Sequence, residues 1–264
     1  MSNGYLTRED APTGPETWKA LDDTMIQAAR SVLTGRRLLH IEGPYGLGLK
    51  YVPMQDNIIG DGIMTSGCIP LAYLQKTFEI SKRDLAAYER EGLPINANAV
   101  AIAALKMALT EDNVIFYGTP GAPGLTTAPG VREIALGNWD NIGAAAADII
   151  TSVTFLDKAG FHGPYSLALA PWRYNLLLRL YPNSGITELE HVRTVVNDGV
   201  YKAPILDKGG VLIASGSQYA SVILGQDMSV GFLGPIRGDC LEFSITESLA
   251  PWIKVPQAVC VLKE

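Results

Sequence analysis

The chain has 264 residues, 47% of them hydrophobic and only 18% charged, with a net charge of −6 and a pI near 5.2. That length carries one large or two small domains, and a charged share below the usual (about a quarter) fits either a surface covered by partners or a large core. The acidic balance, with no basic run, argues against sequence-independent nucleic-acid binding, and no apolar run approaches the roughly eighteen residues that a membrane span needs. Residues 1–15 show no basic and then apolar leader, so no signal peptide is expected. Cys68, Cys240 and Cys260 have no paired spacing, which fits thiols in a reducing cytoplasm.

Pro15 suits a first helical position, where its missing N–H costs nothing. Trp18, Leu21, Met25, Ala29 and Val32 follow at three- and four-residue steps, predicting a helix over 15–34 with one apolar stripe. Gly35 is expected to end it in the left-handed conformation. Residues 51–70 hold Pro53, Gly60, Gly62, Gly67 and Pro70 among short β-prone runs, and read as an extended hairpin or as a surface loop. The Ala-rich stretch 96–108 predicts a helix with Asn96 or Asn98 as N-cap, and 118–130 a loop.

Further helices are expected over 141–158, closed by Gly160, over 171–180 behind Pro171, and over 187–198, stopped by Gly199. Strands are expected at 165–170, 211–214 and 221–224. Leu241, Phe243 and Ile245 alternate with Glu242, Ser244 and Thr246, the pattern of a half-buried strand, and 259–262 is expected to join the same sheet. No internal repeat or low-complexity tract is visible.

No residue set reads as catalytic or metal-binding. His40, His162 and His191 form no His-Glu-x-x-His, and there is no Cys-x-x-Cys. Glu188-Leu189-Glu190-His191 holds one Glu-x-x-His, but a di-iron site needs two plus further glutamates, so a solvated helix face is the simpler reading. Ser215-Gly216-Ser217 lacks the second glycine of a nucleophile elbow. Gly43-Pro44-Tyr45-Gly46-Leu47-Gly48 lacks a phosphate-binding lysine in register and reads as a turn.

A helix, then Gly35-Arg36-Arg37, then Ile41-Glu42-Gly43-Pro44-Tyr45-Gly46 resembles the start of the encapsulins, bacterial and archaeal shell proteins of protein nanocompartments. The resemblance continues in order through Glu111-Asp112-Asn113-Val114-Ile115-Phe116-Tyr117-Gly118, Gly163-Pro164-Tyr165-Ser166-Leu167, Gly225-Gln226-Asp227-Met228-Ser229-Val230-Gly231 and Ile245-Thr246-Glu247. Periodicity alone gives only mixed α and β. The resemblance implies an α+β tailed-phage major capsid fold of the Hong Kong 97 type. It divides the chain into an N-terminal arm and helix (1–36), a peripheral domain (37–50, 77–128 and 226–264), an extended loop (51–76) that reaches onto a neighbour, and an axial domain (129–225).

It further implies a shell protein that assembles with itself into an icosahedral compartment. The shell would enclose a peroxidase or ferritin-like cargo enzyme through a short C-terminal cargo peptide, in the cytoplasm, with no nucleic-acid or membrane partner. The cargo groove would use Met25, Ile26, Ala29, Arg36, His40, Val230 and Trp252, unless these residues simply pin the helix to its own core. Pro182, Asn183, Ser184 and Gly185 would line a five-fold pore. No cofactor is implied: iron or haem would belong to the cargo. Lys82-Arg83-Asp84 stands where some relatives place a flavin-binding Trp, so flavin is not carried over. A phage-type capsid protein is the alternative reading, and a peptidase or bacteriocin-like enzyme a more distant one.

Overall fold

The computed structural model describes residues 4–93 and 97–264. Pro15 does open the first helix, α1 (Pro15–Val32), which buries Trp18, Leu21, Met25 and Ala29. Burial is worth roughly 1.5–3 kcal/mol for each large apolar side chain, which holds the helix to the body. The helix stops at Leu33 in an extended conformation, not at Gly35 in the left-handed one. Gly35 instead begins the single turn α2 (Gly35–Leu38). A Cβ there would lie 2.6 Å from Ile115 Cδ1 and 3.1 Å from Asp112 Oδ1, so close approach, not positive φ, requires the glycine.

Next come β1 (His40–Glu42), then β2 (Tyr51–Gly60) and β3 (Ile63–Pro70), which pair with each other as an antiparallel hairpin around Asp61 and Gly62. β4 (Ala72–Ser81) leads into α3 (Lys82–Glu91), whose N-terminus is capped by the Ser81 hydroxyl accepting the Arg83 and Asp84 amides at 3.1 and 3.3 Å. The Ala-rich helix α4 runs over Asn98–Tyr117, nine residues past its expected end at 108. Asn96 lies outside the described residues, and the cap position belongs to Ala97, so Asn98 is not the N-cap. Helix α4 is apolar on most sides because it lies between α1 and a sheet, which hides its far end from a search for one stripe.

A two-strand turn, β5 (Gly118–Thr119) with β6 (Ala122–Pro123), precedes β7 (Arg132–Ala135). Then follow α5 (Ala144–Asp157), β8 (Tyr165–Leu169), α6 (Pro171–Leu176), α7 (Glu188–Val195), β9 (Gly199–Lys202) and β10 (Gly210–Ala214). Helices expected over 141–158, 171–180 and 187–198 are thus present but shorter at their ends. The strand expected over 221–224 is part of a seventeen-residue strand, β11 (Ala220–Ile236), paired along its length with β12 (Cys240–Ile253). The chain ends in β13 (Val259–Lys263).

Two sheets organise these elements. The first has the order β1-β11-β12-β4 and the second β7-β13-β10-β8-β9. β13 pairs with β10 and β7, so it belongs to the second sheet and not, as expected, with 241–246. Alternation within a strand shows which side faces a core, but not which sheet receives the strand. β12 is also more than half-buried: Ser244 and Thr246 are covered as well as Phe243 and Ile245. Leu6, Thr7 and Leu47 flank that polar side, and Gln226 Nε2 donates to Thr246 Oγ1 at 2.8 Å.

One core packs α1 and α4 on the first sheet around Trp18, Met107, Val230 and Phe243. A second packs α5 and α7 on the second sheet around Trp139, Ile149, Leu167 and Leu212. The N-terminal segment guards the edge of β11 beyond β1. The Thr7 hydroxyl donates to the Phe232 carbonyl, Arg8 Nε donates to the Val230 carbonyl at 2.8 Å, and Arg8 forks onto Asp22 at 2.7 and 2.8 Å.

Candidate functional site

The stripe of α1 does not wholly disappear into the core. Beside it lies a recess of about 180 Å³. Met25, Ile26, Ala29 and Leu33 give it apolar walls, Met228 of β11 closes it, and Arg30, Arg36 and Asp227 supply its polar groups. Met25 and Ala29 are turned inward, whereas Ile26 remains 39% exposed.

The polar side is built by one guanidinium. Arg36 Nε donates to Glu111 Oε1 at 2.6 Å and Nη2 to Asp227 Oδ1 at 2.8 Å, and Nη2 also pairs with Glu247. Glu111 from α4 and Glu247 from β12 are fully buried, and Asp227 is half exposed. Burial opposes the charge of Arg36, but Glu111, Glu247 and Asp227 outweigh it and keep the guanidinium charged. Burial raises Glu111, against the pull of Arg36, and raises Glu247 further, with the Glu111 charge acting in the same direction. Next to them Asp112 accepts the Thr34 amide at 2.9 Å and the Gly35 amide at 2.8 Å, holding the turn between α1 and α2. Burial nevertheless pushes Asp112 up to about 7.

Of the seven groove residues expected from the sequence, Met25, Ile26, Ala29 and Arg36 line this recess. Val230 is fully buried beneath α1 and supports the recess from below. His40 and Trp252 lie elsewhere. They share a row across the first sheet, since His40 pairs with Ser221 and Ser221 with Trp252. Trp252 is seven residues along β12 from Ile245, the partner of Val230, or about 23 Å. There Lys254 Nζ donates to Glu42 at 2.7 Å and sits 4.5 Å from the Trp252 ring centre. The sequence reading missed Glu111, Asp112, Asp227 and Glu247. For Glu111 and Asp112 the signal was an acidic pair in the mostly apolar stretch from Ile102 to Phe116; Asp227 and Glu247 carried no such local signal.

Pro182, Asn183, Ser184 and Gly185 are all exposed, in a tight loop before α7. The Tyr181 amide donates to the Ile186 carbonyl at 2.9 Å, and Asn183 and Gly185 take φ of 62° and 68°. In the Glu-x-x-His segment Glu190 and His191 are exposed, as a solvated face predicts, but Glu188 is not. Glu188 is buried, accepts Arg179 Nη2 at 3.0 Å and the Gly143 amide at 2.7 Å, while His191 meets the Tyr181 hydroxyl at 2.9 Å. The two side chains therefore serve different partners.

Residues 2–250 match the family model described as "Encapsulating protein for peroxidase". The chain belongs to this encapsulating-protein family. It is 33% identical over 279 aligned positions to the type 1 encapsulin shell protein EncA of Myxococcus xanthus, covering 98% of this chain and 96% of that protein. Among solved structures it resembles the virus-like particle of Pyrococcus furiosus, with a TM-score of 0.76 and 21% identity over 94% of this chain and 100% of that one. It also resembles the capsid of the myovirus XM1, with a TM-score of 0.60 and 13% identity over 85% and 88%. The encapsulin chain thus has the α+β Hong Kong 97 capsid fold, and it is a nanocompartment shell protein. Its family motifs also have a common location: Arg36, Glu111, Asp227 and Glu247 come from four of the stretches that carry the resemblance and meet in one cluster.

Proposed function

We propose that this chain assembles with itself into a closed icosahedral shell in the cytoplasm and encloses a peroxidase or ferritin-like enzyme. A short C-terminal peptide of the cargo docks in the recess beside α1. The shell is structural, not enzymatic, and carries no cofactor of its own, while iron or haem belongs to the cargo. Nucleic acid and membranes are not partners; among the described residues no helix is long and apolar enough to cross a membrane.

The observation that supports the docking site is Ile26. It stays exposed on a stripe whose neighbours Met25 and Ala29 are buried, beside a recess with an apolar floor and few polar groups. His40 and Trp252 are not assigned to that site. The loop 182–185 is assigned to the five-fold pore, where four uncharged residues would give weak charge selection.

Ile26→Asp tests the docking site, because it adds a charge to the recess without touching the core. Met25→Asp cannot separate cargo from stability, since Met25 packs against Val230 in the core. A fluorescent protein ending in the C-terminal peptide of a candidate peroxidase is co-expressed with the shell, and the encapsulated fraction is weighed. Ile26→Asp should give intact particles with at least tenfold less cargo, a difference of about 1.4 kcal/mol or more. Normal loading would place the groove elsewhere.

A further inference from the structure

Arg36 carries one positive charge and faces three carboxyl groups. Asp227 is partly in water, but Glu111 and Glu247 are wholly buried. Each of the buried pair uses one oxygen to accept from Arg36. The second oxygens, Glu111 Oε2 and Glu247 Oε2, are also buried and meet no donor group. Both carboxyls sit on one guanidinium, Glu111 on Nε and Glu247 on Nη2, so the two are held side by side. An ionised carboxylate has no proton to donate, so a bond between the two requires one to be protonated. With both ionised, two like charges would touch in a site shielded from water.

We propose that Glu111 and Glu247 share a single proton, and that this proton holds α1 and α2 in their seat, so that its loss at alkaline pH loosens the recess. With the proton present, Arg36 balances the one buried negative charge, and the excess charge lies on Asp227, which is half in water. Without it, Glu111 and Glu247 repel, and the strain falls on Arg36, the one side chain of α2 that both hold. The proposal deepens the reading of the recess as a peptide seat and rests on it only for the consequence to cargo; the proton is a property of the empty shell.

The charged groups that face the pair are few. Arg36 comes from α2, Asp112 lies beside Glu111 on α4, and Asp227 comes from β11. Arg30 of α1 lines the recess next to Arg36. On β4 the residue opposite Glu247 is Leu74, which does not titrate. Asp112 titrates in its own right, so the test is made on assembled shells carrying Asp112→Asn.

Infrared difference spectra across a pH titration should show one neutral carboxyl group per subunit persisting above the range of ordinary carboxyls. Glu247→Gln should remove it, because the amide replaces the shared proton with a fixed N–H and still accepts from Arg36. Glu111→Gln should do the same from the other side. Hydrogen exchange at the Arg37 and Leu39 amides, which bond to Thr34 and Gly35, reads the seat. In the Asp112→Asn shell their opening should rise by up to about tenfold per pH unit beyond the intrinsic rate once the proton leaves. The slope should be flat in Glu247→Gln. Absence of the neutral carboxyl band, or an equal slope with and without Glu247, would overturn the proposal. The first readout needs no variant of the pair and so survives a failure of Glu247→Gln to fold. Neither uses cargo, so a failed docking site, read by Ile26→Asp, is a separate result.

Discussion

The junction between α1 and α2 and the β2–β3 hairpin contrast sharply in where their partners are. At the junction the partners lie inside the subunit: Asp112 takes the Thr34 and Gly35 amides, and Arg36 joins α2, α4, β11 and β12. In the hairpin almost nothing is met inside. Ile58, Ile59, Ile63 and Met64 are 60% exposed or more, and its strands pair only with each other. A two-stranded ribbon is marginal by itself in water, and a run of exposed large apolar residues marks a contact surface. The lesson is that one region is completed within the subunit, while the other leaves its apolar side chains uncovered by the subunit's own residues.

The largest expected effect breaks the first region. Arg36→Met leaves Glu111 and Glu247 buried without their cation and should destabilise the subunit by about 3–5 kcal/mol at neutral pH. Thermal unfolding should show the loss shrinking on acidification, as the two carboxyls take up protons. An equal loss at all pH values would mean that Arg36 acts by packing alone.

Ile58→Asp addresses the second region. The subunit's own stability should change by no more than about 0.5 kcal/mol, as for exposed sites generally, while light scattering should show particles replaced by small species. Normal particles would remove the hairpin from the assembly contacts and erase the comparison.

A smaller effect sharpens the junction. Burial raises Asp112 above its unfolded value, so its contribution to stability is fully present below the ordinary aspartate range and is lost as pH rises through about 7. Asp112→Asn keeps an acceptor for the two amides and removes that loss. Its stability relative to the parent chain should climb between about pH 4 and pH 8, by up to about 4 kcal/mol. A constant difference in chemical denaturation across this range would show that Asp112 stays ionised.

The smallest effect is expected at the loop before α7. Asn183→Asp should leave folding within about 0.5 kcal/mol, since Asn183 is exposed and Asp also tolerates its positive φ. If the loop rings a pore, cation entry into intact shells should speed up in stopped-flow measurements. Unchanged entry would place the loop away from the channel.

The sequence alone determined the local events. Pro15 and the stripe from Trp18 to Val32 specified α1, because an amphipathic helix writes its period into adjacent residues. Thr187 and Glu190 specified the start of α7 through a reciprocal cap. The resemblance carried by short motifs extended that reading to the capsid fold and the shell function. Only the tertiary structure decided what distant segments do to one another. It gave β13 to the second sheet, extended α4 past its expected end, and made Gly35 a point of close approach to Ile115. It set His40 and Trp252 apart from Met25, and it gathered Arg36, Glu111, Asp227 and Glu247, spread over more than two hundred positions, around one charge. Periodicity records which side of an element is buried. It holds no record of the partner, because apolar surfaces attract without direction and a buried ion pair is fixed only once its elements have packed.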